Sequence, residues 1–279
     1  MELTPDPALS KRDAMPADMP SAPIPAAPVQ LIDMVFPGDT NHHGTLFGGG
    51  ALAHMDKAAF LTAARHGRAP FVTAATEQID FAAPARMGDM VEVTGRIVKV
   101  GNSSIRVQVD LVAETPDTGE RRLCTRGIFV LVAIKGPQTR LPLPPLEPHA
   151  APEPEPGRFC LADLILPQQT NHYGTLYGGD ALKMMGKAAF IAASRHARRM
   201  MVMQRAGDID FLAPVHSGDM VECVTGIVSQ DAHRVEVSVE LWAEGLLSGA
   251  RRIACTGRFV LAVAAGDGRP QSVEGHLAD

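Results

Sequence analysis

The sequence predicts an α+β protein built from two tandem copies of one unit, each a buried helix followed by an antiparallel sheet. Three observations carry this. Residues 41–60 (NHHGTLFGGGALAHMDKAAF) return as 171–190 (NHYGTLYGGDALKMMGKAAF) with fourteen of twenty positions identical, and 79–92 (IDFAAPARMGDMVE) returns as 209–222 (IDFLAPVHSGDMVE) at the same offset of 130 residues. The stretch after each glycine cluster is small and apolar on nearly every face, the mark of a helix surrounded by protein rather than lying on a surface. The segments that follow are Val- and Ile-rich runs parted by turn residues, and one helix set apart from a run of strands is the α+β pattern.

The elements follow in order. Residues 1–28 are rich in Pro, Ala and Asp without apolar periodicity and read as a disordered tail. Short strands at 31–36 (LIDMVF) and 161–166 (LADLIL) open the halves. A helix is expected over 48–67, with Gly67 as its C′ residue and Arg65 and His66 suited to the negative end of the helix dipole. Residues 71–81 form a strand closed by Pro84 and a turn at Gly88-Asp89, and 90–101, 104–114 and 122–134 supply three more, separated by GNS and TPDTGE turns. The organisation is a first domain at 29–135, an extended, semi-stiff Pro-rich linker at 136–158, a second domain at 159–265 and an unstructured tail at 266–279. A unit of this size gains from packing on its twin.

Composition narrows the function classes. Of 279 residues, 46% are hydrophobic and 20% charged, as in ordinary globular proteins, and a net charge of −5 without a basic run argues against nucleic acid as a partner. No apolar run reaches the ~18 residues of a membrane span, and the N-terminal stretch lacks a signal-peptide h-region, so the expectation is a cytoplasmic protein without a membrane partner. Cys124 and Cys255 fall at near-equivalent places inside apolar runs, as small buried hydrophobes do, while Cys160 and Cys223 have no counterparts. No C-x-x-C or metal-ligand spacing is present, so no metal or other cofactor is expected.

Two features point to chemistry. Asp56 lies in the middle of the apolar helix, where an acid is costly without a partner or a task, and the second copy has Gly186 in its place. It is either a catalytic carboxylate or half of a surface ion pair with Lys57 or Arg65, although adjacent helix residues do not face each other. The Gly-Gly starts at Gly48-Gly49 and Gly178-Gly179 leave unpaired N–H groups that can polarise a carbonyl; they equally serve as glycine turns allowing close packing.

With these residues in view, the chain resembles the acyl-CoA thioesterases of the hotdog fold. Asn41-His42-His43-Gly44-Thr45-Leu46-Phe47-Gly48-Gly49 with Asp56 fifteen residues after the Asn fits their pattern, as does Asn171-His172-Tyr173-Gly174-Thr175-Leu176-Tyr177-Gly178-Gly179 without the acid. The later turn matches at Phe81, Pro84, Gly88 and Asp89 and again at Phe211, Pro214, Gly218 and Asp219. Phe47 and Tyr177 stand where the family often carries His.

The resemblance implies two tandem hotdogs forming an intramolecular double hotdog, with active sites between the units. One carboxylate comes from one unit, and the Asn and Gly-Gly helix start come from the other. It implies hydrolysis of an acyl-CoA to free CoA and a carboxylic acid, with Asp56 activating attack by water or attacking directly. Gly178 and Gly179 would polarise the carbonyl, and Asn171 and Thr73 would orient water or substrate. Thr73 is otherwise a β-branched strand residue, and Asn171 an Asx-turn residue at the helix entry. Asp56 and Thr73 with Asn171, Gly178 and Gly179 make one complete site. The reciprocal site, with Asn41, Gly48 and Gly49 facing Gly186 and Met203, lacks the acid.

Arg65, Arg68, Arg195, Arg198 and Arg199 and the turn at 101–104 are candidates to meet CoA phosphates, against solvated or helix-end roles. Association into a homo-oligomer, as a trimer of double hotdogs, is a further implication of the resemblance. The rival reading from another class is a catalytically decayed acyl-CoA-binding or regulatory protein. A hotdog dehydratase is disfavoured because its His-containing H-x-x-x-x-P-G signature is missing.

Overall fold

The computed structural model describes residues 29–136, 139–146, 158–265 and 270; the tail expected at 1–28, nearly all of that at 266–279 and much of the linker lie outside them. In the first half, β1 (Val29–Met34) leads through a 3₁₀ turn to α1 (Gly48–Gly67). Then come β2 (Phe71–Phe81), β3 (Met90–Val100), β4 (Ser104–Glu114) and β5 (Arg121–Ala133). The second half repeats this with β6 (Arg158–Leu164), α2 (Gly178–Ala197), β7 (Met201–Phe211), β8 (Asp219–Gln230), β9 (Arg234–Gly245) and β10 (Arg251–Val263). Each sheet is antiparallel, in the orders β1-β3-β4-β5-β2 and β6-β8-β9-β10-β7. Each half is a hotdog, a helix wrapped by its own sheet.

The wrapping follows from side-chain size. Met55, Ala58, Ala59, Leu61, Ala63 and Ala64 of α1 are buried, and the alanines let the sheet come close. Alternate residues of β4 (Ile105, Val107, Val109, Leu111, Ala113) are buried, so one face of the strand is spent on the core. The opening strands start at Val29 and Arg158, earlier than hydropathy alone places them, because the residues before the apolar runs still pair with β3 and β8.

The helix end departs from expectation. Gly67 is the last helical residue rather than C′, and Arg68 takes the left-handed conformation (φ 46°, ψ 39°). Arg68 is held there by its own partners, Glu244 at 2.6 Å and the Leu246 carbonyl at 3.2 Å. Gly67 is required for space instead. A Cβ there would lie 2.8 Å from both Leu143 Cδ2 and Phe71 Cζ. The described piece of the linker thus packs against the helix end, and Leu141 N–H and Leu143 N–H donate to Ala133 O and Asn102 O at 2.9 Å.

The halves share their interiors. Ala162 and Met220 of the second half belong to the first core, while Ile32, Met34 and Met90 of the first belong to the second. Ion pairs repeat across this seam with two-fold regularity. Lys57 meets Asp163 at 2.8 Å and Lys187 meets Asp33 at 3.0 Å. Arg65 reaches Glu222 and Glu244 at 2.7 and 2.9 Å, and Arg195 reaches Glu92 and Glu114 at 3.0 and 2.8 Å. Arg198 adds a bond to Glu114 at 2.9 Å, matching that of Arg68 to Glu244.

Candidate active site

Asp56 stands half-buried in the third turn of α1, and Thr73 lies near the start of the edge strand β2, on the face turned to that helix. Thr73 Oγ1 donates a 2.7 Å hydrogen bond to Asp56 Oδ1. The two nearest candidate cations bond elsewhere, Lys57 to Asp163 and Arg65 to Glu222 and Glu244. Asp56 is therefore not half of an ion pair with Lys57 or Arg65; its bonded partner among the described residues is a neutral hydroxyl. In the second half, a Cβ added to Gly186 would meet Met203 Cε at 3.5 Å. Gly186 and Met203 thus occupy the places of Asp56 and Thr73, with neither acid nor hydroxyl.

Both helices begin without a side-chain cap, after Phe47 and Tyr177. The N–H groups of Gly178 and Gly179 make no hydrogen bond to a described residue, whereas Asp180 N–H turns back to Tyr177 O at 2.9 Å. Such unpaired donors carry partial positive charge at the helix start. A Cβ at Gly179 would sit 2.8 Å from Cε1 of the exposed Tyr177 ring, which would have to turn aside.

Asn171 forms an Asx turn, its Oδ1 accepting from Tyr173 N–H at 2.9 Å and from Thr175 N–H and Oγ1 at 3.3 and 3.2 Å. Its Nδ2 makes no hydrogen bond to a described residue, whereas the equivalent Nδ2 of Asn41 donates to Thr45 Oγ1 at 3.0 Å. The expected site residues therefore fall into two groups, Asp56 with Thr73 and Asn171 with Gly178 and Gly179. Among the described residues no hydrogen bond or ion pair joins the two groups.

An apolar groove opens beside each helix start. In the first half it measures about 330 Å³ and is lined by Leu46, Ala51, Phe81, Pro84, Leu111 and Thr125 among others. In the second it measures about 280 Å³, lined by Leu176, Ala181, Phe211, Pro214, Leu241 and Cys255 among others. Burial pushes the Cys124 and Cys255 thiols above their ordinary value, which disfavours thiolate chemistry there. Among the described residues no cluster of His, Cys, Asp or Glu could hold a metal ion, and no helix is long and apolar enough to cross a membrane.

Sequence reasoning missed the role of the helix-end arginines. Arg65, Arg68, Arg195 and Arg198 hold buried glutamates of the opposite half and are not free for a phosphate; Arg199 is exposed. A signal existed in the paired spacing of Arg65 with Arg68 and Arg195 with Arg198, set against Glu92, Glu114, Glu222 and Glu244 recurring in strands. The grooves had no such signal, because they are made by small residues on separate elements.

The profile of the thioesterase superfamily matches residues 43–120 and again 173–250. This chain belongs to the thioesterase superfamily. The superfamily's domain is thus present twice, once per hotdog. An acyl-CoA hydrolase of Agrobacterium tumefaciens, solved by crystallography, is 44% identical with a TM-score of 0.80, covering 88% of this chain and 98% of that one. The acyl-CoA thioester hydrolase YkhA of Bacillus subtilis, itself uncharacterised, is 38% identical over 119 residues, 43% of this chain and 69% of its own. The human cytosolic acyl coenzyme A thioester hydrolase is 22% identical over 260 residues, 77% of this chain and 68% of its own.

Proposed function

We propose that this chain hydrolyses acyl-CoA thioesters to free CoA and a carboxylic acid at one complete site per chain. In this reading Asp56 and Thr73 of the first half act with Asn171, Gly178 and Gly179 of the second. The observation that carries it is the Thr73–Asp56 hydrogen bond at 2.7 Å. It fixes one carboxylate oxygen and leaves the other to take a proton from water, while no cation is spent on neutralising the acid. The names of the relatives, acyl-CoA hydrolases and thioester hydrolases, supply the substrate class.

The chemistry follows from charge. Water attacks the thioester carbonyl as Asp56 takes its proton, and the oxygen gains negative charge opposite the Gly178 and Gly179 N–H groups, which are already oriented. The free Nδ2 of Asn171 is a further donor for that oxygen or for the water. Collapse breaks the C–S bond, and the proton held by Asp56 passes to the departing sulfur, giving CoA thiol and the acid. Direct attack by the carboxylate, through an anhydride opened by water, leads to the same products. In this reading the two roles of Asn171 are compatible, since Oδ1 builds the turn and Nδ2 remains available.

The test is thiol release from a panel of acyl-CoAs, short to long, with wild type and Asp56→Asn. Turnover that falls by about 10²–10⁴ in the variant is the expected result, the range of a lost general base. Absence of thiol release on every member would favour a protein that binds acyl-CoA without cleaving it.

A further inference from the structure

We propose that His54 makes the seam between the two halves sensitive to mild acid: once protonated, it sets a third cation beside Lys57 and Lys187 and weakens the ion pairs that join the halves there. The inference stands apart from the hydrolase reading, because it concerns the joint and not the reaction. His54 of α1 lines a cavity of about 30 Å³ on that seam, together with Asp33 of β1, Lys57 of α1, Asp163 of β6 and Lys187 of α2. From β3 the cavity receives only the apolar Val91 and Val93.

The acids around His54 are already engaged. Lys57 Nζ meets Asp163 Oδ1 at 2.8 Å, and Lys187 Nζ meets both carboxylate oxygens of Asp33 at 3.0 Å. Asp163 Oδ1 and Asp33 Oδ1 also accept the N–H groups of Leu164 and Met34, at 2.8 and 2.7 Å. Asp39, a further acid in the field of His54, accepts from Phe36 N–H at 3.2 Å. His54 itself makes no hydrogen bond to a described residue. A proton on its ring must therefore compete with Lys187 for Asp33, and it repels both lysines. So small a cavity admits little water to solvate the added charge.

The duplication supplies a control. The bridging residues repeat across the seam, Asp33 with Asp163 and Lys57 with Lys187, but the counterpart of His54 is Met184, which packs on the second core. One side of the joint can take up a proton where the other carries a thioether.

Burial is the largest influence on His54 and disfavours its charged form; Asp33 and Asp39 oppose this, and Lys57 and Lys187 add to it. The net result holds the ring below its ordinary 6.5 in the folded protein. The unfolded chain then takes the proton first. Stability from this group is complete above about pH 6.5 and is lost as pH falls from there through the lowered folded-state value. By the same linkage, breaking the Lys187–Asp33 pair must make His54 easier to protonate.

The test is urea unfolding of the full-length chain from about pH 8 to about pH 5.5, above the range where ordinary carboxylates titrate. Wild type is compared with His54→Met, which copies the twin, and with His54→Gln, which stays polar but takes no proton. The expected result is a wild-type midpoint that falls below about pH 6.5 and a smaller fall in both variants. In an NMR titration, the imidazole signal missing from both variants should titrate below 6.5 in wild type and at higher pH in Lys187→Met. An equal fall of the midpoint in wild type and both variants overturns the inference. So does a His54 ring that titrates at 6.5 or above in wild type, or one whose titration is unmoved in Lys187→Met.

Discussion

Thr73 shows how a single hydroxyl can serve an acid in the middle of a largely buried helix. A carboxylate half-buried among alanines is unfavourable unless hydrogen-bonded, and the 2.7 Å bond meets that need without quenching its charge. Thr73→Val keeps the β-branched shape and removes only that bond. It should cost about 1 kcal/mol of stability in urea unfolding yet lower kcat more than tenfold, because the base loses its orientation. A parallel loss of KM with kcat untouched would remove Thr73 from the chemistry. At this scale the sequence was partly legible. Spacing from Asn41 singled out Asp56, and the repeat exposed Gly186 as its gap. The partners of Asp56 were not legible, because they depend on which strand lies beside which helix face.

Elements were more legible than their ends. Periodicity and turn residues give the start of α1 at Gly48 and β4 at 104–114, as observed, since the small apolar run and the alternating Val positions each allow one solution. The C-terminus of α1 was misread because Gly67 carries the usual stop signal, while interdomain bonds hold Arg68 in the left-handed conformation. Those bonds make the helix ends sensitive. Glu244 is 2% exposed and binds both Arg65 and Arg68, so Glu244→Gln should destabilise the protein by about 3–5 kcal/mol in urea unfolding, the cost of breaking a buried pair.

Acid should act on the twin cluster. Burial opposes the charge of Glu92, but the hydrogen bond from Arg121 and the charges of Arg121 and Arg195 outweigh it and hold the carboxyl below its ordinary 4.5. The unfolded chain then binds the proton more readily than the folded one. Glu92 therefore contributes stability in full above about pH 4.5, and loses it as pH falls through the lowered folded-state value. A urea-unfolding series should show this loss on the acid side, reduced in Glu92→Gln.

At the scale of the molecule, each half of the duplication completes the core of the other. Ile32, Met34 and Met90 fill the second core, so residues 158–265 produced alone should associate or aggregate rather than run as a folded monomer in size exclusion. A stable monomer would show the shared core to be dispensable. The edge strands β2 and β7 present Val72, Phe81, Met203 and Phe211 to solvent, and exposed apolar edges invite pairing with another chain. We read the chain as a homo-oligomer on that ground, with a light-scattering mass above 29.6 kDa as the expected result. Two-fold architecture was plain in the sequence. It breaks down at the proposed chemistry, between Asp56 and Gly186 and between Thr73 and Met203, and on the proposed reading that difference would divide labour between the halves.

The most direct measurement of that division compares kcat of Asn171→Ala with that of Asn41→Ala. Both side chains build the same Asx turn, so the structural cost of removal is shared and each variant controls for the other. The account predicts a fall of about 10²-fold for Asn171→Ala, the size of a lost donor to a developing oxyanion, and a change within about twofold for Asn41→Ala. Comparable losses from both would mean two working sites, and no loss from Asn171→Ala would mean that the site does not cross between the halves.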